Sequence, residues 1–90
     1  MDQNDISDEL NYAVYLRIRQ IMKNFGIESI SSMADHCGIS KSTISALQIR
    51  NQKKTVTLKT IGSICAAVGM SVSEFFDSPL FENISGKRAE

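Results

Sequence analysis

Eight basic side chains fall in the middle of this chain: Arg17, Arg19, Lys23, Lys41, Arg50, Lys53, Lys54 and Lys59. Only Glu28 and Asp35 oppose them between residues 11 and 59, so that segment carries a net +6. The first ten residues hold Asp2, Asp5, Asp8 and Glu9 with no base, a net −4. From residue 60 on, Glu74, Asp77, Glu82 and Glu90 exceed Lys87 and Arg88 by two. The total over 90 residues is therefore zero, which at first argues against a nucleic-acid partner. Local potential steers a polyanion more than net charge does, and a basic middle between acidic ends is a dipolar pattern that suits one. A solvated surface with uneven charge would give the same count.

Residues able to do covalent or metal chemistry are few. Cys37 and Cys65 stand 28 positions apart, in no Cys-x-x-Cys pattern and both on apolar stripes. Small reduced core residues are expected, with a redox-sensing thiol as the alternative. His36 is the only histidine, so a metal site has little support, and the exposed side of a helix is its expected place. No phosphate-binding glycine loop, carboxylate pair or Ser-His-Asp set can be assembled, so neither an enzyme nor a cofactor is expected. A chain that is 42% apolar, 22% charged and 7% aromatic without tryptophan is expected to be one small soluble domain. It has no apolar run near the roughly 18 residues of a membrane span and no basic signal-like start, so no membrane partner and a cytoplasmic location are expected.

The elements that position these residues follow from period and caps. Leu10, Val14, Ile18, Ile21 and Phe25 recur at spacings of 4, 4, 3 and 4, which predicts a helix over about 8–25, capped by Ser7 or Asp8 and ended by Gly26. Ser29 caps a short second helix with Ile30, Met33, Ala34 and Cys37 on one side, stopping at Gly38. Ser40 caps a third that runs to about Ile49, with Ile44 and Leu47 inward. Arg50, Asn51, Gln52, Lys53, Lys54 and Thr55 read as a basic loop. Thr57 caps a fourth helix with the stripe Leu58, Ile61, Ile64, Cys65 and Val68, closed by Gly69. Ser71 and Glu74 have capping-box spacing for a short fifth helix through Phe75 and Phe76, broken at Asp77-Ser78-Pro79. Leu80, Phe81 and Ile84 suffice for one further docked turn.

The most informative stretch lies between Ile30 and Leu47. Two short helices can cross nearly at right angles only if the crossing residue is small and the turn accepts positive φ. Ala34 and Gly38, four residues apart, meet those needs, and Met33, Cys37, Ile39, Ile44 and Leu47 fill the angle. This is a helix-turn-helix pattern; a helical bundle with apolar residues at those places by coincidence is the alternative.

On these residues the chain resembles the lambda-type repressor and Cro proteins, the XRE family. The likeness runs from about Leu16 to Asp77. It is carried by Arg17-Ile18-Arg19 before Gly26-Ile27, by Ser29 with Met33-Ala34, and by Gly38-Ile39-Ser40-Lys41-Ser42-Thr43-Ile44-Ser45. Leu58-Lys59-Thr60-Ile61 and the run Val68-Gly69-Met70-Ser71-Val72-Ser73-Glu74-Phe75-Phe76 add to it. The resemblance implies an all-α, compact five-helix domain that binds double-stranded DNA by sequence, usually as a homodimer, and regulates transcription by repression or activation, with repression the expected output. It implies that the third helix lies in the major groove, with Lys41, Ser42 and Ala46 facing base edges and Ser45 nearby. Lys41 would suit guanine O6 or N7, Ser42 several bases, and Ala46 a thymine methyl. Phosphate contacts are implied near Ser29 and Ser40, with Thr43 beside them, and along Arg50, Asn51, Gln52, Lys53 and Lys54.

The chain departs from the family pattern at several places. Ile30 stands where many members have a phosphate-gripping glutamine, and Met22 and Gln48 replace a frequent Arg–Glu pair. The loop between the first two helices is one residue longer, and the glycine and proline after the third are absent. Of Phe75, Phe76, Leu80, Phe81 and Ile84, Phe75 is placed inward by analogy; the rest could cap the core or form a dimer contact, which the resemblance puts around the fourth and fifth helices. The expected division is an acidic segment over 1–7, the helix-turn-helix domain over 8–77 and a tail over 78–90. The alternative function is a protein-interaction module of the same fold, such as an antitoxin-like regulatory subunit with weak DNA binding and an unidentified protein partner.

Overall fold

The computed structural model describes residues 6–49, 56–82 and 84, with side chains from residue 8 on. The predicted basic loop at Arg50, Asn51, Gln52, Lys53 and Lys54 lies outside the described residues, as do residues 1–5 and 85–90. Among the described residues five α-helices follow in order: α1 (Ile6–Phe25), α2 (Ile30–Cys37), α3 (Lys41–Ser45), α4 (Leu58–Val68) and α5 (Val72–Phe76). A 3-10 turn (Ala46–Gln48) extends α3, and another (Pro79–Phe81) follows α5. No strand occurs among the described residues.

The caps form as their residue types require. Ser29, Ser40, Thr57 and Ser71 are all extended, and each side chain accepts a hydrogen bond from the amide three residues on. Such bonds satisfy amides that a helix start otherwise leaves without partners. The Ser71–Glu74 box closes reciprocally, with the Ser71 amide donating to Glu74 Oε1 at 2.8 Å. α1 begins at Ile6, earlier than expected, so Ser7 and Asp8 lie inside its first turn rather than at the position that precedes it. Asp8 and Glu9 there place negative charge at the positive end of the helix dipole.

The core joins α1 (Val14, Ile18, Ile21, Met22), α2 (Met33, Ala34, Cys37), Ile44 and Leu47, α4 (Ile61, Ile64, Cys65) and Phe75. Two stripe residues behave otherwise. Phe25 is 55% exposed, because Gly26 at φ 71° turns the chain and brings Ile27, two positions on, against the core. The Ile27 amide reaches back to the Met22 carbonyl at 2.8 Å, the 6→1 bond of a glycine-terminated helix. Leu58 is 77% exposed, since the core closes over α4 only from Ile61, one turn later. The third helix is also shorter than the expected 41–49: it tightens to a 3-10 turn at Ala46, and Ile49 is extended and exposed.

Two polar clamps supplement this small core. Asn11 is buried within the apolar stripe of α1, and its Oδ1 accepts the Val56 amide at 3.0 Å, which ties the chain just ahead of α4 to α1. Arg17 holds α5: its Nε donates to the Phe75 carbonyl at 2.7 Å and an Nη donates to the Glu74 carbonyl at 2.8 Å. Its guanidinium carbon also sits 5.9 Å from the Phe75 ring centroid. A five-residue helix leaves most of its carbonyls without internal partners, and a cation at its C-terminal end meets both the bonds and the dipole. Phe75, Phe76 and Phe81 then pack edge-on or tilted, with centroids 5.0 to 6.2 Å apart, and carry the second 3-10 turn onto α1.

Cys37 and Cys65 are both free and buried. Burial pushes both thiols up from their ordinary value; at Cys65 Arg17 partly opposes this and Glu74 adds to it. The thiolate is the nucleophilic form, so both are poor nucleophiles in the folded chain.

Replacing Arg17 by Met should lower unfolding free energy by about 2 kcal/mol, because two charge-assisted hydrogen bonds are lost and α5 loses its C-terminal cation. Asn11→Leu should cost about 1–3 kcal/mol by leaving the Val56 amide without its acceptor. Urea unfolding followed by circular dichroism checks both; midpoints equal to the parent chain's would show that neither clamp contributes.

Candidate nucleic-acid interface

The turn between α2 and α3 is built from two requirements met at two residues. Gly38 has φ 73°, a left-handed conformation that an L side chain adopts only under strain. Its amide and that of Ile39 return to α2 carbonyls, with Ile39 N to Ala34 O at 3.0 Å, which closes the helix. Ala34 is 2% exposed, small enough to let the two helices approach, and α2 and α3 pack directly. Ile44 and Leu47 then anchor α3 and its 3-10 extension to the core.

With those two residues inward, the opposite side of α3 faces solvent. Lys41 and Ser42 are exposed; Ser45 and Ala46, one turn further, are half-buried. Pairs three and four apart share a helix face, so Lys41 with Ser45 and Ser42 with Ala46 form one outward strip. The hydroxyls at the start of α3 are joined: Ser40 Oγ lies 2.7 Å from Thr43 Oγ1 and 3.2 Å from Ser42 Oγ, and accepts the Thr43 amide. At the start of α2, Ser29 Oγ accepts the Ser32 amide and donates its hydrogen to Ser32 Oγ at 3.1 Å. The Ser29 hydrogen is thus engaged within the turn, and the exposed Ser32 hydroxyl becomes the outward donor there. Ser32 was not singled out from the sequence, although its spacing from the Ser29 cap is a usable signal.

The basic residues divide. Arg19 and Lys23 on α1, Lys41 on α3 and Lys59 on α4 are exposed, whereas Arg17 is half-buried and its guanidinium is held on the end of α5. His36 is exposed, and its Nε2 lies 3.1 Å from the Ala67 carbonyl; since a carbonyl only accepts, the ring nitrogen donates and pins α2 to α4. Among the described residues no three His, Cys, Asp or Glu side chains are grouped to hold a metal ion, and no helix is long and apolar enough to cross a membrane.

No curated protein and no solved structure matches the chain. A family model does: the Cro/C1-type HTH DNA-binding domain, over residues 17–79, a span from the second half of α1 to the start of the last 3-10 turn. That span holds every element just described around the Gly38 turn, and the chain belongs to the Cro/C1-type helix-turn-helix family of DNA-binding domains.

Proposed function

We propose that this protein is a sequence-specific regulator of transcription, acting as a repressor, and that it docks α3 and the following 3-10 turn in the major groove of double-stranded DNA. The observation that carries this is the outward strip of Lys41, Ser42, Ser45 and Ala46 on a helix whose other side is fastened by Ile44 and Leu47. In this proposal Lys41 donates to guanine O6 or N7, Ser42 pairs with a polar base edge, and Ala46 meets a thymine methyl, with Ser45 beside them. Ser29, Ser40 and Thr43 lie against the phosphate backbone, as do Arg50, Asn51, Gln52, Lys53 and Lys54. Contacts of the second kind set register and supply affinity, while those of the first select sequence.

A homodimer is proposed, on two half-sites about 34–36 Å apart or a multiple of that. In its favour, Leu58 on α4 and Val72 on α5 are large apolar side chains at 77% and 46% exposure, on the two helices where relatives of this kind are expected to meet.

Binding to a duplex selected from a random pool should weaken steeply with salt, since each neutralised phosphate releases counterions. Lys41→Ala should change base preference at one position, with about tenfold discrimination lost there, whereas Lys53→Ala should weaken all sequences alike and lower the salt slope by about one. A flat salt response would sink the proposal, and identical behaviour of the two variants would refute the division of roles. Sedimentation of the DNA-bound protein checks the dimer.

A further inference from the structure

Three hydroxyls at the start of α3 share one limited supply of hydrogens. Ser40 Oγ accepts the Thr43 amide at 3.2 Å, and also lies within hydrogen-bond distance of Thr43 Oγ1 (2.7 Å) and Ser42 Oγ (3.2 Å). A serine hydroxyl has one hydrogen and two lone pairs. The Thr43 amide occupies one lone pair, so Ser40 can satisfy its two hydroxyl neighbours only by donating to one and accepting from the other. Two arrangements meet that condition. In the first, Thr43 donates to Ser40 and Ser40 donates to Ser42, which leaves the Ser42 hydrogen to point outward. In the second, Ser42 donates to Ser40 and Ser40 donates to Thr43. The Thr43 hydrogen then points outward, and Ser42 offers only lone pairs.

We infer that a phosphate oxygen bound at Thr43 selects the second arrangement, so that docking on the DNA backbone turns Ser42 into a hydrogen-bond acceptor specific for the exocyclic amino group of adenine or cytosine. The inference rests on the proposed placement of α3 in the major groove. A phosphate oxygen without a hydrogen can only accept, so Thr43 must give it the hydrogen it would otherwise give Ser40. Ser40 must then donate to Thr43 and accept from Ser42. In the major groove adenine N6 and cytosine N4 are donors, whereas guanine O6 and N7 and thymine O4 are acceptors. A serine that rotates freely pairs with either kind. Coupled through Ser40, a contact that carries no sequence information sets the polarity of one that does. Ser42 is exposed and Thr43 half-buried, so both reach the surface on which they would act.

The test uses the full chain and a duplex enriched from a random pool. The adenine or cytosine whose selection depends on Ser42 is replaced by an analogue lacking only the amino group, purine for adenine or 2-pyrimidinone for cytosine. The parent chain should lose about tenfold in affinity on that replacement, the scale of one hydrogen bond, and Ser42→Ala should lose almost nothing further. Thr43→Val keeps the shape without the hydroxyl and should discriminate poorly between base and analogue. Thr43→Ala should do the same, and Thr43→Ser should restore discrimination. A melt of each variant by circular dichroism identifies the folded ones, and either apolar variant suffices for the comparison. A folded Thr43→Val or Thr43→Ala chain that discriminates like the parent overturns the relay, as does a serine variant that fails to restore it or a Ser42 partner that is a guanine or thymine oxygen. If Ser42→Ala changes no base preference, or no duplex is enriched, the placement of α3 itself fails and the relay falls with it.

Discussion

A five-residue helix has no stability of its own in water, where isolated helices shorter than about 12–15 residues are marginal. α3 is such a helix, and what fixes it is burial of Ile44 and Leu47 together with the stop at Gly38 and the cap at Ser40. Fully burying one such side chain contributes about 1.5–3 kcal/mol, so the two together are comparable with the roughly 4 kcal/mol that starting a helix costs. The outward strip has its orientation only because those two side chains point the other way. Every other element can be seen as supplying the surface against which they are buried: α1 and α2 directly, α4 through Ile61, Ile64 and Cys65, and α5 through Phe75.

A core this small leaves backbone groups that apolar packing cannot satisfy, and two polar side chains of α1 meet that need. Asn11 holds the strand of chain leading into α4. Arg17 takes the carbonyls at the end of α5, and its aliphatic stem and guanidinium lie along Phe75. One helix therefore organises both ends of the remaining structure through hydrogen bonds, and through Val14, Ile18, Ile21 and Met22 it organises the core as well.

The charge balance has a structural meaning once placed. The net zero hides a basic middle, but the middle is not uniform: Arg17 belongs to the scaffold, while Arg19, Lys23, Lys41 and Lys59 are exposed. Three of the five N–H donors of Arg17 go to two carbonyls and a neighbouring glutamine side chain, which holds the guanidinium against α5. Counting bases along the chain thus overstates how many of them stand free at the surface.

Local chemistry determined much of this protein before any packing was known. Serine or threonine at 29, 40, 57 and 71 had to cap, glycine at 26, 38 and 69 could take positive φ, and apolar spacing of three and four had to form a face, because these effects act within one turn of chain. The Ala34–Gly38 pair marked the helix-turn-helix for the same reason. Tertiary structure decided the rest. Phe25 and Leu58 fit the stripes by spacing yet lie outside, since a stripe says which face is apolar and not how far its neighbours reach. Asn11 and Arg17 looked like an ordinary polar and an ordinary basic residue, because their partners at Val56, Glu74 and Phe75 are 45 to 58 positions away. The bonding of Ser42 belongs to both levels: its neighbours Ser40 and Thr43 are local, but the hydrogen it has left to offer depends on what meets Thr43 from outside the chain.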